Sequence, residues 1–367
     1  MRISIPTEIK PSEYRVAITP AGVAELTGLG HEVLVQSGAG LGSNITDAQY
    51  AAAGASIVDS AEETWSRAEL LLKVKEPLPA EYPFFRPDLT LFTYLHLAAQ
   101  PELTAALLAS GMTAFAYETV QLPNRRLPLL APMSEVAGRL SVVVGASTLL
   151  KPNGGAGILI SGVTGTSAAQ VVILGAGVAG SSAISMAVGL GARVTVLDTN
   201  VQRLSELEAQ YPGALKTVVS TTESIEKACV DADLVIGSVL VPGAKAPKLI
   251  TNALVAKMKP GSVLVDIAVD QGGCFEDTHP TTHDNPTFTV HGSIFYCVAN
   301  MPGAVPQTST EALTHATLPY VTELAQGWRD AIAENDSLRA GLNTTAGLLV
   351  NEAVGQALGL PWTGYTP

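Results

Sequence analysis

Residues 170–180 read QVVILGAGVAG, and this stretch decides the fold. The apolar run 171–174 has the length and β-branched content of a buried strand, and Gly175-x-Gly177-x-x-Gly180 follows it directly. In that spacing the first glycine makes a tight turn, the second lets backbone approach a pyrophosphate, and the third lets helix and strand pack closely. The free N–H groups of the helix N-terminus then face the phosphates. The spacing alone is weak in a chain with 34 glycines, but its context agrees. A helical pattern runs to Gly189 and Gly191, and the strand RVTVL after it leads into Asp198, 18 residues beyond Gly180. An acid there accepts hydrogen bonds from the adenosine ribose hydroxyls. The competing reading is an ordinary turn followed by a solvent-exposed aspartate.

Outward from this unit, short apolar runs alternate with helical patterns in both directions, which predicts α/β architecture with parallel sheets. Upstream, 3–5 is a strand, Thr19 and Pro20 start a helix over 21–29, and 32–35 returns as a strand. Strands follow at 70–74, 89–95 and 112–117, with the helix PELTAALLAS between the last two. A helical pattern over 133–150 carries the chain onward. Downstream come the strands DLVIGSV, SVLVDIA and FYCVAN, then the helical patterns QTSTEALTHATLPYVTELA and TTAGLLVNEAVGQALG. These last apolar faces fold back on the first domain. The expectation is two doubly wound, Rossmann-like domains: a discontinuous substrate domain, 1–130 and 307–367, and a nucleotide domain, 131–306, inserted into it. LPLLAP and NMPGAVP mark the crossings.

Composition narrows the function. The 367 residues suit two domains of ordinary size. With 21 Lys+Arg against 33 Asp+Glu the net charge is −12, which disfavours nucleic acid and anionic membrane surfaces. Charged residues are only 15% and mean hydropathy is +0.29, so extensive burial is expected. No Asp, Glu, Lys or Arg occurs over 152–192, yet glycines and hydroxyls interrupt every apolar run before roughly 18 residues, so no membrane span is expected. The start MRISIPTEIK lacks a secretory apolar region, and Cys229, Cys274 and Cys297 form no CxxC; both point to a reduced, cytosolic chain.

Ligands on open parallel sheets gather beyond the carboxyl ends of strands. Lys75 and His96 stand at two such ends, and Arg15 lies in the loop after the first strand. Two cations and an imidazole suit a small carboxylate with an oxygen or nitrogen to protonate. Singly, each is equally a solvated strand end, a structural histidine or a surface charge. Glu118, after MTAFAY, reads as structural. Asp270, just after SVLVDIA, can relay a proton or simply cap a loop. His279-x-x-x-His283 has helical metal spacing, but Pro280 makes it a loop, so no metal is expected. The chain also lacks a GxSxG elbow and a Walker GK[ST].

The chain resembles the alanine dehydrogenases over essentially its whole length. The blocks that carry the likeness are IPTEIKPSEYRVAITPAGV, LLLKVKEP, LHLA, AYETVQ, APMSEVAGR, VVILGAGVAG, VIGSVLVPGAKAPKLI, VLVDIAVDQGGCFE and CVANMPGAVPQTST. The resemblance implies a cytosolic, NAD-dependent homohexamer that interconverts L-alanine with pyruvate and ammonium. It implies that Arg15 and Lys75 hold the substrate carboxylate and that His96 and Asp270 are acid–base residues. For the cofactor it implies Ser134, Val178, Asp198, Arg203, Ser220, Val239, Leu240, Ile267, Ala268, Val269, Asp270, Val298, Ala299, Asn300 and Met301, a set that leaves out His279. Three alternatives stay open: the NAD-binding subunit of a proton-translocating transhydrogenase, a non-catalytic dinucleotide-binding or interaction protein, and a relative that also accepts glycine or glyoxylate.

Overall fold

The structure, a computed structural model, describes residues 1–239 and 247–365. The chain divides into two compact units, Met1–Met133 with Gly303–Pro367, and Ser134–Pro302. Both are α/β, and each is built around a mostly parallel sheet.

The first unit holds β1 (Arg2–Ile5), β2 (Glu32–Gln36), β3 (Ser56–Val58), β4 (Leu70–Leu72), β5 (Thr90–Thr93) and β6 (Thr113–Ala116). The second holds β7 (Gln170–Leu174), β8 (Arg193–Asp198), β9 (Leu215–Val219), β10 (Leu234–Gly237), β11 (Val263–Asp266), β12 (Thr287–Val290) and β13 (Ser293–Tyr296). The chain then returns to the first unit for β14 (Leu342–Thr345) and β15 (Leu348–Leu349).

Among the described residues, the first sheet runs β15-β14-β6-β5-β4-β1-β2-β3, with β1 to β6 parallel and the last hairpin antiparallel. Its order reverses between β1 and β4. The second runs β12-β13-β11-β10-β7-β8-β9, parallel except for β12, and reverses between β7 and β10. Such reversals leave a crevice beyond the strand ends where ligands bind. Interior strands carry unbroken apolar runs because helices cover both faces: Val171, Ile173 and Val265 lie in one core layer, Val172, Leu174 and Leu264 in the other.

Local chemistry explains the element ends. Thr19 caps the helix Pro20–Gly28 by accepting the Gly22 N–H, and Pro20 fills a first-turn position that lacks an N–H partner. Gly111, in the left-handed region, closes the helix Pro101–Ser110. Some expectations need correction. LLLKV is a strand only to Leu72, and FYCVAN only to Tyr296, where β13 begins earlier at Ser293. TTAGLLVNEAVGQALG is not one helix. Ala346 and Gly347, at φ 49° and 80°, turn β14 into β15, and Asn351 caps a helix confined to Glu352–Leu358. Among the described residues no helix is long and apolar enough to cross a membrane.

Candidate active and cofactor sites

At the reversal in the second sheet, β7 runs into the glycine turn. Gly175 has φ 97°, a conformation that disfavours any side chain. A Cβ on Gly180 would lie 1.9 Å from the Gly175 carbonyl oxygen, so only glycine permits this approach of helix and strand. Among the described residues a Cβ on Gly177 would meet nothing within 4 Å, and the helix Val178–Gly189 begins there with Val178 exposed. Ser238, at the end of β10, donates to the carbonyls of Leu174 and Gly175 at 2.8 and 3.1 Å and braces the turn. Val239 lies beside it, with Cγ2 3.0 Å from a Cβ built on Gly175. Leu240 falls outside the described residues.

Asp198 ends β8 and holds the same turn. Its Oδ2 accepts the Ala176 N–H at 2.6 Å and its Oδ1 the Asn200 N–H at 2.7 Å. Each oxygen keeps a second lone pair for a ribose hydroxyl. Arg203 donates to the Ala176 carbonyl at 3.1 Å, to Ser181 Oγ at 2.8 Å and to Glu206 at 2.8 Å. Its guanidinium is therefore anchored to the turn rather than swinging free. Ala176 is gripped at its N–H by the last side chain of β8 and at its C=O by Arg203 beyond it. Ser220 joins this edge through its N–H to the Asp198 carbonyl, 2.9 Å. Ser134 is half-buried in the helix Ala131–Thr148.

Beyond β11 the loop carries Ile267, Ala268, Val269 and Asp270. Ala268 and Val269 point into the core, so what they offer a ligand is backbone; Asp270 is exposed. Val298 and Met301 are likewise core residues, flanking half-buried Ala299 and Asn300. Asn300, left-handed at φ 62°, donates its N–H to Asp270 Oδ2 at 3.4 Å. His279 stacks on Phe288 with centroids 3.8 Å apart. Among the described residues no cluster of three or more His, Cys, Asp or Glu is arranged to hold a metal.

At the reversal in the first sheet sits a buried charge network. Arg15 is 2% exposed and bonded through Nε and Nη2 to the two carboxylate oxygens of Glu13, at 2.7 and 2.5 Å. Burial opposes its charge, but the hydrogen bonds and charge of Glu13 outweigh burial and raise its pKa. Its Nη1 lies 3.1 Å from Met133 Sδ. Lys75 is also buried. Beneath them Lys73 is locked between Glu8 and Glu81 at 3.0 and 2.9 Å, and Lys10 pairs with Glu76. Burial pushes the Glu8 carboxyl up, against the pull of Lys73. Sequence reasoning singled out Arg15 and Lys75 but not Glu8, Glu13, Lys73 and Glu81, which surround them in this network and whose partners are set by strand order.

His96 follows β5 with left-handed backbone, φ 51°. Glu118 accepts the His96 N–H at 2.6 Å and the Leu95 N–H at 3.2 Å, and its Oε1 stands 3.9 Å from His96 Nδ1. Tyr94 stacks parallel to the imidazole at 5.8 Å and donates its hydroxyl to the Leu129 carbonyl. The ring is thus steadied from two sides while remaining partly exposed.

The glycine turn meets the steric demands of a pyrophosphate seat, which places the chain among dinucleotide-binding α/β proteins. Family models for the N-terminal and C-terminal domains of alanine dehydrogenase/PNT match residues 4–137 and 141–352. The chain belongs to the alanine dehydrogenase/PNT family. It is 61% identical to an alanine dehydrogenase of Mycolicibacterium smegmatis over 99% of this chain and 98% of that one. It is 54% identical to an alanine dehydrogenase of Bacillus subtilis over 98% and 95%. A solved L-alanine dehydrogenase superposes with a TM-score of 0.95 at 52% identity, covering 98% and 99% of the two chains. A transhydrogenase from Sinorhizobium meliloti gives 0.81 at 26%, covering 96% and 100%.

Proposed function

We propose that the chain catalyses the NAD-dependent oxidative deamination of L-alanine to pyruvate and ammonium, and the reverse reductive amination. The observation that carries this reading is its likeness to alanine dehydrogenases over nearly the full length of both chains. The transhydrogenase alternative draws on the weaker likeness.

NAD, when bound, supplies the acceptor for the substrate Cα hydride. Gly175, Gly177, Val178 and Gly180 seat the pyrophosphate, and Asp198 accepts from the ribose. Arg203 serves through the turn it clamps. Ser134, Ser220, Val239, the backbone of 267–270 and that of 298–301 hold the remainder. In the first unit Arg15 and Lys75 fix the substrate carboxylate, with Glu13 keeping the guanidinium in one orientation. A fixed carboxylate orients Cα, and positioning of this kind lowers a barrier by several kcal/mol. Oxidation at Cα leaves an imine, to which water adds. His96 and Asp270 move protons at the oxygen and nitrogen as the carbinolamine collapses.

We further propose a homohexamer working in the cytoplasm on small-molecule partners, without nucleic acid or membrane. Three buried cysteines, all free thiols, suit a reducing compartment. The test is an amino-acid panel with NAD, read as NADH appearance, with sedimentation for the assembly. L-alanine should lead, with glycine as the only near competitor; equal turnover of alaninamide would remove the carboxylate clamp, and no turnover of any amino acid would overturn the reading.

A further inference from the structure

Asp266 ends β11 with its side chain fully buried. A carboxylate in that position is unfavourable unless its lone pairs are met, and here four donors meet them. Oδ1 accepts the Ala268 N–H at 3.1 Å; Oδ2 accepts the Cys274 N–H at 2.8 Å, the Phe275 N–H at 3.3 Å and the Thr278 hydroxyl at 2.6 Å. The donors come from both ends of the loop that carries Asp270. One carboxylate therefore staples the beginning of the loop to its end.

Between those anchors the chain makes a single tight turn, Val269–Gln271, and then two successive left-handed glycines, Gly272 and Gly273 at φ 93° and 74°. A Cβ on Gly273 would fall 2.6 Å from Asp266 Oδ2 and 2.4 Å from Thr278 Cγ2, so the loop closes directly onto the carboxylate. From the other side the Lys248 ammonium donates to the carbonyls of Gly272 and Phe275. Ala268 and Val269 pin the loop's inner face to the core. Asp270 is left exposed at the apex, with its backbone fixed on both flanks.

We propose that Asp266 is a positioning residue for the reaction: its four hydrogen bonds hold the 267–278 loop in the one form that presents the Asp270 carboxylate for proton transfer. The inference rests on the reading of Asp270 as an acid–base residue. Asp266 touches no reacting atom in this scheme. Its effect is conformational, since a shift of about 1 Å in a catalytic group costs on the order of a hundredfold in rate.

The experiment compares Asp266→Asn, Thr278→Val, Thr278→Ser and Asp270→Asn in the full chain. It reads kcat for L-alanine oxidation and, separately, ADP affinity, because ADP lacks the nicotinamide half and is held by the glycine turn and Asp198. Asp266→Asn keeps the shape but faces an amide N–H against a donor. Its kcat should fall on the order of a hundredfold, with ADP affinity unchanged. Thr278→Val removes one donor and should cost about tenfold in kcat, whereas Thr278→Ser, which keeps the hydroxyl, should restore it. This pair decides the matter should Asp266→Asn not fold. Wild-type kcat in Asp266→Asn or Thr278→Val, beside an impaired Asp270→Asn, would overturn the proposal. So would a fall in kcat matched by an equal fall in ADP affinity, the mark of a role in folding alone. Wild-type kcat in Asp270→Asn would instead overturn the reading of Asp270 on which the inference stands.

Discussion

Two single-methyl substitutions in the glycine turn should separate packing from binding. In Gly180→Ala the new carbon is placed 1.9 Å from the Gly175 oxygen and 2.8 Å from Ser238 Oγ, against an ordinary contact of about 3.5 Å. Gly175 cannot yield easily, because its φ of 97° is fixed by the turn and Ser238 braces its carbonyl. Overpacking of this kind costs about 1–3 kcal/mol, which at about 2–4 °C per kcal/mol lowers the melting point of the cofactor-free protein by roughly 2–12 °C. Gly177→Ala is different. Its Cβ meets none of the described residues within 4 Å, and φ −68° is ordinary for alanine. A poorer helix cap costs up to about 1 kcal/mol, while the stiffer unfolded chain returns about 0.4–1 kcal/mol. Melting should therefore hardly move. The methyl instead projects into the space assigned to the pyrophosphate, and NADH affinity should fall at least about tenfold, or about 1.4 kcal/mol. Thermal melts without cofactor and fluorescence titration with NADH measure both. Wild-type NADH affinity in Gly177→Ala would refute the assignment of that space.

His96→Ala should lose nearly all turnover while NADH binding, measured by the same titration, stays intact; equal loss of both would make His96 structural. Asp198→Asn keeps an oxygen for the Ala176 N–H but removes the charge that opposes a 2′-phosphate. A like charge about 5 Å away costs roughly 3 kcal/mol at an effective dielectric near 20, so discrimination against NADP should drop by about two orders of magnitude in kcat/KM. Asp198→Ala also releases the turn and should weaken NAD as well. The Glu76 carboxyl is penalised by burial, yet the Lys10 hydrogen bond and the charges of Lys75 and Lys10 hold it below its usual range. A depressed acid stabilises the fold above its unfolded pKa, and that contribution is lost as pH falls below about 4.5 through the folded value. Glu76→Gln should therefore lose stability at pH 7 and close on the wild type as pH falls below about 4.5 in urea melts; a deficit that stays constant with pH would refute the linkage.

What the sequence determined by itself is what depends on neighbours along the chain. Gly175, Gly177 and Gly180 act within six residues, and Thr19, Pro20 and Gly111 act within one turn, so their residue types alone dictate backbone conformation. The alternation of strand and helix likewise shows α/β units, and buried parallel strands announce themselves as unbroken apolar runs. The last hairpin escaped this reading because TTAGLLV also satisfies a helical pattern, and only the free edge of β6 gives β14 its partner. The same holds for the site. Arg15 and Lys75 were visible as cations near strand ends, but nothing local distinguishes Lys75 from Lys73. Strand order brings Glu8 to Lys73 across 65 positions and makes Lys73 an internal tie. Nor does the sequence separate Asp266 from Asp270, four residues apart: one is sealed in the core and the other exposed. That choice belongs to the tertiary structure, because the fate of a charge is set by the groups that replace its water, and those groups arrive from distant parts of the chain.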